Sequence, residues 1–182
     1  MEFDYLKALT GDYSKNQIIT DIMRSYYKEV WNYAFSISGK PEMADDITQD
    51  VFCKVLQSLD TFRGESSMKT WLMKITRNTA FNHQKTWFIR KVIPVDKWFA
   101  SGVSENYPSA ESTAMETIRL NEAWVHVMQL PVKYREVLIL FAYHDMTQKE
   151  IAEMIGIPEG TVKSRLHQAR TRFGNKFERG NG

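Results

Sequence analysis

The stretch that most restricts the fold of this chain is TQKEIAEMIGIPEGTVKSRLHQARTRF at residues 147–173. Thr147 and Glu150 have the spacing of a capping box, which predicts that a helix begins there. Gly156 then predicts a turn, and Pro158 is well placed as the first residue of a second helix. Each helix repeats apolar residues three or four positions apart on one face: Ile151, Ala152 and Ile155, then Val162, Leu166, Ala169 and Phe173. The pattern predicts two helices packed across a tight turn.

The outward face of the second helix is polar and basic. It carries Lys163, Ser164, His167, Gln168, Arg170 and Arg172. In a helix-turn-helix the second helix enters the major groove, where side chains near its start meet base edges and basic groups neutralise phosphates. Lys163 and His167 lie four residues apart on this face, as base reading requires. The alternative is an ordinary amphipathic hairpin whose basic face is only hydrated.

Charge is distributed unevenly along the chain. The net charge of the 182 residues is only +2, which is weak for a nucleic-acid-binding protein. Residues 1–62 carry ten acidic and six basic side chains, however, whereas residues 63–91 carry seven basic and one acidic. Residues 147–182 carry seven basic and four acidic side chains. Two basic blocks in an otherwise acidic chain indicate two contacts with a polyanion and a separate acidic surface for another partner.

Several function classes are excluded by what the sequence lacks. The single cysteine, Cys53, rules out an internal disulfide and a cysteine-cluster zinc site, and its place in an apolar helical pattern predicts a buried thiol. No phosphate loop, metal-ligand spacing or nucleophile with a paired base is visible, so we expect no catalysis, metal or cofactor. The acidic start is unlike a signal peptide and the apolar run at 137–143 is too short to span a bilayer. We therefore expect a cytoplasmic protein without membrane insertion.

Helical periodicity dominates the chain, and no strand pattern is accompanied by its turn chemistry. The sequence predicts helices over residues 17–38, 41–58, 68–90, 115–129, 132–144, 147–155 and 158–177. Residues 92–114 interrupt the pattern with prolines, a glycine and serines, which is typical of a flexible linker. The predicted fold is all-α, with two small helical domains at 1–91 and 115–182 and a helix-turn-helix in the second.

The first basic block, at residues 62–91, has the character of a surface for single-stranded nucleic acid. Leu72, Ile75 and Thr79 share the inward side of its helix. The outward stripe mixes basic groups, an amide and a ring: Lys74, Arg77, Asn78, Phe81 and Lys85. Unpaired bases can stack on rings or enter pockets while their backbone follows positive charge. The alternative is a core helix whose polar side faces water.

The acidic block lies in the helix predicted at residues 41–58. Its apolar positions, Ala44, Ile47, Val51, Val55 and the following Leu59, form the inward face. Asp46, Gln49 and Asp50 remain outward and close together. No histidine or third carboxylate is patterned to join them in a metal site. The choice is between a hydrated face and a docking surface for a basic partner.

Taken in order, these stretches resemble the sigma factors of bacterial RNA polymerase, specifically the small two-domain extracytoplasmic-function (ECF) group. ADDITQDVFCKVLQSLDTFRGESSMKTWLMKITRN, residues 44–78, is similar to the segment that binds core polymerase and melts the promoter. LPVKYREVLILFAYHDMTQKEIAEMIGIPEGTVKSRLHQAR, residues 130–170, is similar to the promoter-reading domain. The resemblance implies a non-catalytic specificity subunit that has core polymerase and promoter DNA as partners.

The resemblance also implies roles for individual residues. The clamp helices of the largest polymerase subunit would be bound by Asp46, Gln49, Asp50 and Phe52. The unstacked minus-ten element of the non-template strand would be bound by Arg63, Lys74, Arg77, Asn78, Phe81 and Lys85. The minus-thirty-five element would be bound by Thr161, Lys163, Ser164, Arg165, His167, Gln168 and Arg170, with Arg165 on a phosphate. The family usually has aspartate and then arginine after the asparagine, where this chain has Asn82 and Lys85, and often a serine at Pro158.

Further partners are implied by the resemblance alone. The second domain would contact the flap of the second-largest polymerase subunit, and the linker would thread toward the RNA exit path. An anti-sigma factor would inhibit the protein and could hold it at the membrane. The free protein would be a monomer, because one chain reads two different elements with two domains. The alternative is a conventional helix-turn-helix regulator, which would dimerise on two half-sites.

Overall fold

The computed structural model describes residues 15–92 and 123–180 of the chain. Every regular element within these residues is helical, which confirms the all-α prediction. The first half contains α1 (Lys15–Ser38), α2 (Pro41–Ser58), a short 3-10 helix (Leu59–Thr61) and α3 (Met68–Val92). The second half contains α4 (123–128), α5 (Val132–Ala142), α6 (Gln148–Ile155) and α7 (Glu159–Gly180). The predicted linker lies outside the described residues except for its first residue, and so does the first part of the helix predicted at 115–129.

The first three helices pack against one another around a shared apolar core. Fully buried side chains come from all three: Ile22, Val30 and Ile37 in α1, Ala44, Ile47, Val51 and Val55 in α2, and Leu72 and Met73 in α3. The turn between α1 and α2 uses Gly39 at a φ of 70°, and Pro41 is the first helical residue after it. The predicted inward face of α2 is therefore confirmed, and on α3 Leu72 and Thr79 are buried as predicted whereas Ile75 is only half-buried.

Cys53 is a correction to the sequence prediction, because its thiol is exposed. The buried residues around it on α2 are Val51, Phe52 and Val55. At about 100° per residue, Phe52 lies roughly 100° away around the helix and Val51 and Val55 roughly 200° away, so Cys53 falls outside the inward face. The apolar residues on both sides of Cys53 in the sequence therefore do not place Cys53 itself on the inward face of α2.

The capping box that opens α6 is confirmed atom by atom. The Glu150 backbone N–H donates to Thr147 Oγ1 at 3.2 Å, and the Thr147 backbone N–H donates to Glu150 Oε2 at 2.8 Å. Gly156 ends the helix in the left-handed region at a φ of 73°. Helix α7 begins at Glu159, one residue later than predicted, because Pro158 supplies the carbonyl that accepts from Thr161 N–H at 2.8 Å. The two helices therefore form a helix-turn-helix.

The two halves of the described structure pack against each other. Helix α1 contacts α5, and α3 contacts α6. The ring of Trp124 in α4 lies tilted against that of Phe35 in α1, with ring centroids 6.4 Å apart. The helix-turn-helix is therefore held against the first three helices by side-chain contacts.

Among the helices of the described ranges, none combines the length and the apolar character that a membrane span requires.

The capping box gives a stability prediction with a pH dependence. Thr147→Ala should lower the free energy of unfolding by about 1 kcal/mol at pH 7, because one helix-end N–H loses its acceptor. The Thr147 hydroxyl and backbone N–H lower the pKa of Glu150 below its ordinary 4.5. Because the folded pKa is the lower one, this carboxylate stabilises the fold above pH 4.5 and loses its contribution as the pH falls through the folded pKa.

Urea denaturation followed by circular dichroism measures both effects. Glu150→Gln should destabilise the protein at pH 7, and the difference from the unsubstituted chain should shrink steadily below pH 4.5. Lys149→Ala, an exposed neighbour in the same turn, is the control and should stay within about 0.5 kcal/mol. A Glu150→Gln effect that is constant across this pH range would contradict a carboxylate cap.

Candidate nucleic-acid interfaces

The outer face of α7 is open to solvent. Lys163, Ser164, His167, Gln168 and Arg170 are exposed, and Thr161 and Arg165 are half-buried. Val162 and Leu166 are buried behind this face and fix the rotation of the helix. Ser164 Oγ donates to the Thr161 carbonyl at 2.9 Å, and the Arg170 guanidinium lies 5.1 Å from the centre of the Phe141 ring. All seven residues predicted for base and phosphate contact thus lie outside the buried apolar stripe of α7, and the exposed ones form a surface that a groove can accept.

The predicted single-strand surface lies mainly on α3. Lys74, Asn78 and Lys85 are exposed, and Phe81 is half-buried. Arg63 is exposed in the loop that precedes α3. Behind the stripe, Lys54 Nζ donates to Thr79 Oγ1 at 2.9 Å, which joins the surface to α2. The arrangement offers cations, an amide and a ring to a passing strand.

Arg77 differs from the other members of this stripe, because its guanidinium is already hydrogen-bonded to a residue of the second half of the chain. Its Nε donates to Glu136 Oε1 of α5 at 2.7 Å, and its guanidinium lies 4.8 Å from the centre of the Phe81 ring. Tyr33 in α1 donates its hydroxyl to the same carboxylate oxygen at 3.2 Å. Only 2% of Glu136 and none of Tyr33 is exposed. Burial, and then the charge of Glu136, raise the pKa of Tyr33 well above 10.0, so its hydroxyl keeps the proton that it donates.

A second polar cluster lies on the same boundary between the two halves. The side chain of His144, two residues after the end of α5, is fully buried and has its Nδ1 3.8 Å from Glu29 Oε2 in α1. Lys69 Nζ lies 3.3 Å from the same oxygen. At 3.8 Å this contact is longer than an ordinary hydrogen bond. His144 first, and then Lys69, lower the pKa of Glu29 against the opposing effect of burial. Nearby, Asn32 donates to the Tyr143 hydroxyl at 2.6 Å.

An open cleft of about 670 Å³ separates α6 from the start of α3. Its first wall includes Arg63, Trp71 and Lys74. Its second wall carries Glu150 and Glu153 of α6. Part of the predicted single-strand surface therefore faces carboxylates of the helix-turn-helix.

The acidic face of α2 is exposed at three of the four predicted positions. Asp46, Gln49 and Asp50 point to solvent, whereas Phe52 is 5% exposed and stacks on Tyr27 with ring centroids 6.0 Å apart. Asp50 Oδ2 lies 2.6 Å from His83 Nε2 in α3. Phe52 therefore supports the helix from within, and the exposed face consists of the polar side chains.

Four residues that make polar contacts at or behind these surfaces were not predicted from the sequence: Glu29, Tyr33, His83 and Glu136. Tyr33 lies 103 residues from Glu136 and Arg77 lies 59 residues from it, so no local pattern connects them. One signal was available for Glu136. It directly precedes the apolar run of α5, where a charged side chain on the inward face requires a partner. Among the described residues, no group of three histidine, cysteine or carboxylate side chains could hold a metal ion.

Two sequence families match the chain, in the order of its two helical halves. The family described as Sigma-70 region 2 matches residues 22–87, which include α2 and most of α3. The family described as Sigma-70, region 4 matches residues 127–173, which include the helix-turn-helix. The matched ranges contain both candidate DNA surfaces and the acidic face of α2.

Individual relatives and solved structures also match most of this chain. The chain is 33% identical over 159 residues to RNA polymerase sigma factor YlaC of Bacillus subtilis, covering 84% of this chain and 87% of that protein. It is 31% identical to the ECF RNA polymerase sigma-E factor of Haemophilus influenzae, covering 73% and 74%. The sigma factor RpoE of Bartonella quintana, solved in complex with the anti-sigma factor NepR, has a TM-score of 0.67 and 26% identity, covering 87% and 96%. CnrH, solved with the cytosolic domain of CnrY, shares the fold at a TM-score of 0.64 and 18% identity, covering 95% and 94%.

Proposed function

The chain belongs to the sigma-70 family of RNA polymerase sigma factors, in its ECF group, and we propose that it guides core polymerase to promoters by reading two DNA elements with two surfaces. The observation that carries this proposal is the pair of basic surfaces on separate helices of one chain, the outer face of α7 and the stripe on α3. The first suits duplex DNA and the second a single strand. The protein supplies specificity, and the chemistry belongs to the polymerase.

The face of α7 reads the minus-thirty-five element. Lys163, Ser164 and His167 are exposed along the outer side of the helix and would meet base edges in the major groove. The Arg165 guanidinium, half-buried beside them, contacts a phosphate. Thr161, Gln168 and Arg170 complete the contact surface at its two ends.

The stripe on α3 and the loop before it capture the minus-ten element as a single strand. Asn78 offers donors and an acceptor to a flipped base, and Lys74 and Lys85 follow the backbone with positive charge. Phe81 provides a ring for stacking, and Arg63 extends the charged path beyond the helix. Arg77 joins this surface when its guanidinium is free of Glu136.

The exposed polar face of α2 binds core polymerase. Asp46, Gln49 and Asp50 contact the clamp helices of the largest subunit, and the buried ring of Phe52 stiffens the helix that presents them. The helix-turn-helix half contacts the flap of the second-largest subunit. Complementary acidic and basic surfaces guide two proteins together during diffusion and fix their relative orientation in the complex.

Inhibition by an anti-sigma factor is part of the same proposal. RpoE, a structural neighbour at 26% identity, was solved in complex with the anti-sigma factor NepR. An equivalent inhibitor would bind this chain in the cytoplasm and, if it is itself anchored, would hold the chain at the membrane. The free protein is a monomer, since its two DNA elements are read by two different surfaces.

Run-off transcription on fragmented host DNA tests the proposal. Core polymerase supplemented with this protein should produce discrete transcripts that core polymerase alone does not make. The upstream sequences of those transcripts should share two separated elements. A protein that adds no transcripts, forms a stable dimer and shifts palindromic DNA by itself would instead be a helix-turn-helix regulator.

Two substitutions separate the roles of the DNA surfaces. Lys163→Ala should weaken promoter use by about 1–3 kcal/mol and relax sequence preference at one minus-thirty-five position, because one base contact is lost. Asn78→Ala should leave duplex binding intact and reduce open-complex formation, measured by permanganate reactivity of unpaired thymines.

Matched controls remove the same chemical group elsewhere. Lys133→Ala removes an exposed lysine of α5, and Asn16→Ala removes an exposed amide of α1. Neither should change sequence preference or melting. If Lys163→Ala and Asn78→Ala lose only salt-sensitive affinity that is equal for all sequences, the base-reading roles are wrong.

The acidic face of α2 gives a separate prediction for assembly. Replacing Asp46 and Asp50 together by asparagine should weaken binding to core polymerase by at least about tenfold, roughly 1.4 kcal/mol, because two interfacial charges are lost. Fluorescence anisotropy of labelled protein titrated with core polymerase measures this change. Asp60→Asn is the control, since Asp60 forms an exposed ion pair with Lys15 away from this face. Equal affinity for the double variant and the control would remove α2 from the interface.

A further inference from the structure

We propose that His83 of α3 positions Asp50 on the acidic face of α2 and makes the affinity of that face for core polymerase depend on pH. The inference rests on the proposed function, which assigns Asp50 to the interface with core polymerase. His83 Nε2 lies 2.6 Å from Asp50 Oδ2, and the two side chains are 29% and 53% exposed. Asp50 is therefore held at one oxygen by its own chain, while about half of its side chain stays open to a partner.

The packing of α2 against α3 brings these two side chains together. One helical turn further along, Lys54 Nζ donates to Thr79 Oγ1 at 2.9 Å. Lys54 follows Asp50 by four residues and Thr79 precedes His83 by four, which is the register of two antiparallel helices. The two polar contacts are thus successive links between the same pair of helices, so the position of His83 opposite Asp50 follows from the packing of the helices.

The charged groups around the His83 ring come from α2 and from the turn before it. An open cleft of about 580 Å³ lies between α2 and α3 beside the ring. Besides Asp50, the charged residues that line it are Glu42, Asp46, Lys54 and Lys40. Three carboxylates and two ammonium groups therefore surround the imidazole, and a positive charge on the ring would meet more negative than positive charge.

The charge of the imidazole changes what a basic partner meets at Asp50. Histidine is the side chain whose ordinary charge change falls between about pH 5 and 8. A neutral ring can donate its Nε2–H to Asp50 and leaves the full negative charge on the carboxylate. A protonated ring cancels about one negative charge of the face. Because complementary charge strengthens the encounter with a basic surface, affinity for core polymerase should fall as the pH is lowered.

His83 lies on the opposite side of α3 from the single-strand stripe. Lys85 follows it by two residues and Asn78 precedes it by five. At about 100° per residue, these two side chains lie roughly 160° and 140° from His83 around the helix. A substitution at His83 should therefore change binding to core polymerase and leave the affinity for a single-stranded minus-ten element unchanged.

A pH profile of core binding tests the inference. Fluorescence anisotropy of protein labelled at its amino terminus, titrated with core polymerase, should show a Kd that rises about threefold from pH 8 to pH 6, the size expected for one exposed charge. His83→Gln keeps an N–H donor but takes up no proton. It should bind like the unsubstituted protein at pH 8 and lack the rise. Comparing the two proteins at each pH cancels the titration of groups on the polymerase.

Two further substitutions separate charge from positioning. His83→Lys carries a permanent positive charge and should bind about threefold more weakly than the unsubstituted protein at pH 8, with little further change at pH 6. His83→Ala leaves Asp50 without its donor and should bind more weakly than His83→Gln at both pH values. Asn16→Lys adds a charge at an exposed position of α1 but keeps His83, so its pH dependence should match that of the unsubstituted protein.

The outcomes distinguish this inference from the proposed function. Circular dichroism at pH 6 and pH 8 shows that each variant is folded before it is titrated. Tight binding with the same pH dependence in the unsubstituted protein and in His83→Gln would overturn the role of His83 and leave the proposed function intact. Failure of the unsubstituted protein to bind core polymerase at any pH would reject the proposed function, and the inference with it.

Discussion

The packing of the two described helical halves is constrained by one buried carboxylate. Glu136 lies at the boundary between two helical halves, and a charged group in that position needs an opposite charge within hydrogen-bonding distance. Arg77 provides it from the other half of the chain, and Tyr33 adds a neutral donor. The pair therefore favours the packing in which this side of α5 faces the first half, together with the buried apolar residues Val137, Ile139 and Leu140 of the same helix.

Local sequence chemistry was sufficient for most of the helical structure. The capping residues Thr147 and Glu150 and the turn residue Gly156 act within a few residues of each other, so their outcome does not depend on the rest of the fold. Apolar periodicity likewise predicted the inward faces of α2 and α7. It failed for Cys53, where an apolar surrounding sequence concealed a position on the far side of the helix.

The candidate sites were predictable only in part, for a physical reason. A helical wheel shows which side chains share a face, but it does not show which other element covers that face. Lys163 and Asn78 are exposed as expected, because no element of the described ranges packs over them. Arg77 was expected to be equally free, and its partner lies 59 residues away, beyond the linker segment. Long-range ion pairs leave almost no trace in one sequence, apart from a charged residue in an otherwise apolar stretch.

The pairing of Arg77 with Glu136 has a consequence for how such a chain can change over generations. Under the proposed roles, a single guanidinium is selected both for its fit to a DNA strand and for its fit to a carboxylate of its own chain. A mutation that altered promoter preference at Arg77 would leave Glu136 buried without its counter-charge, and a second change would be needed to repair the fold. The residues at positions 77 and 136 should therefore covary among descendants of this protein. A change in promoter preference at the first position would be accompanied by a change in packing at the second.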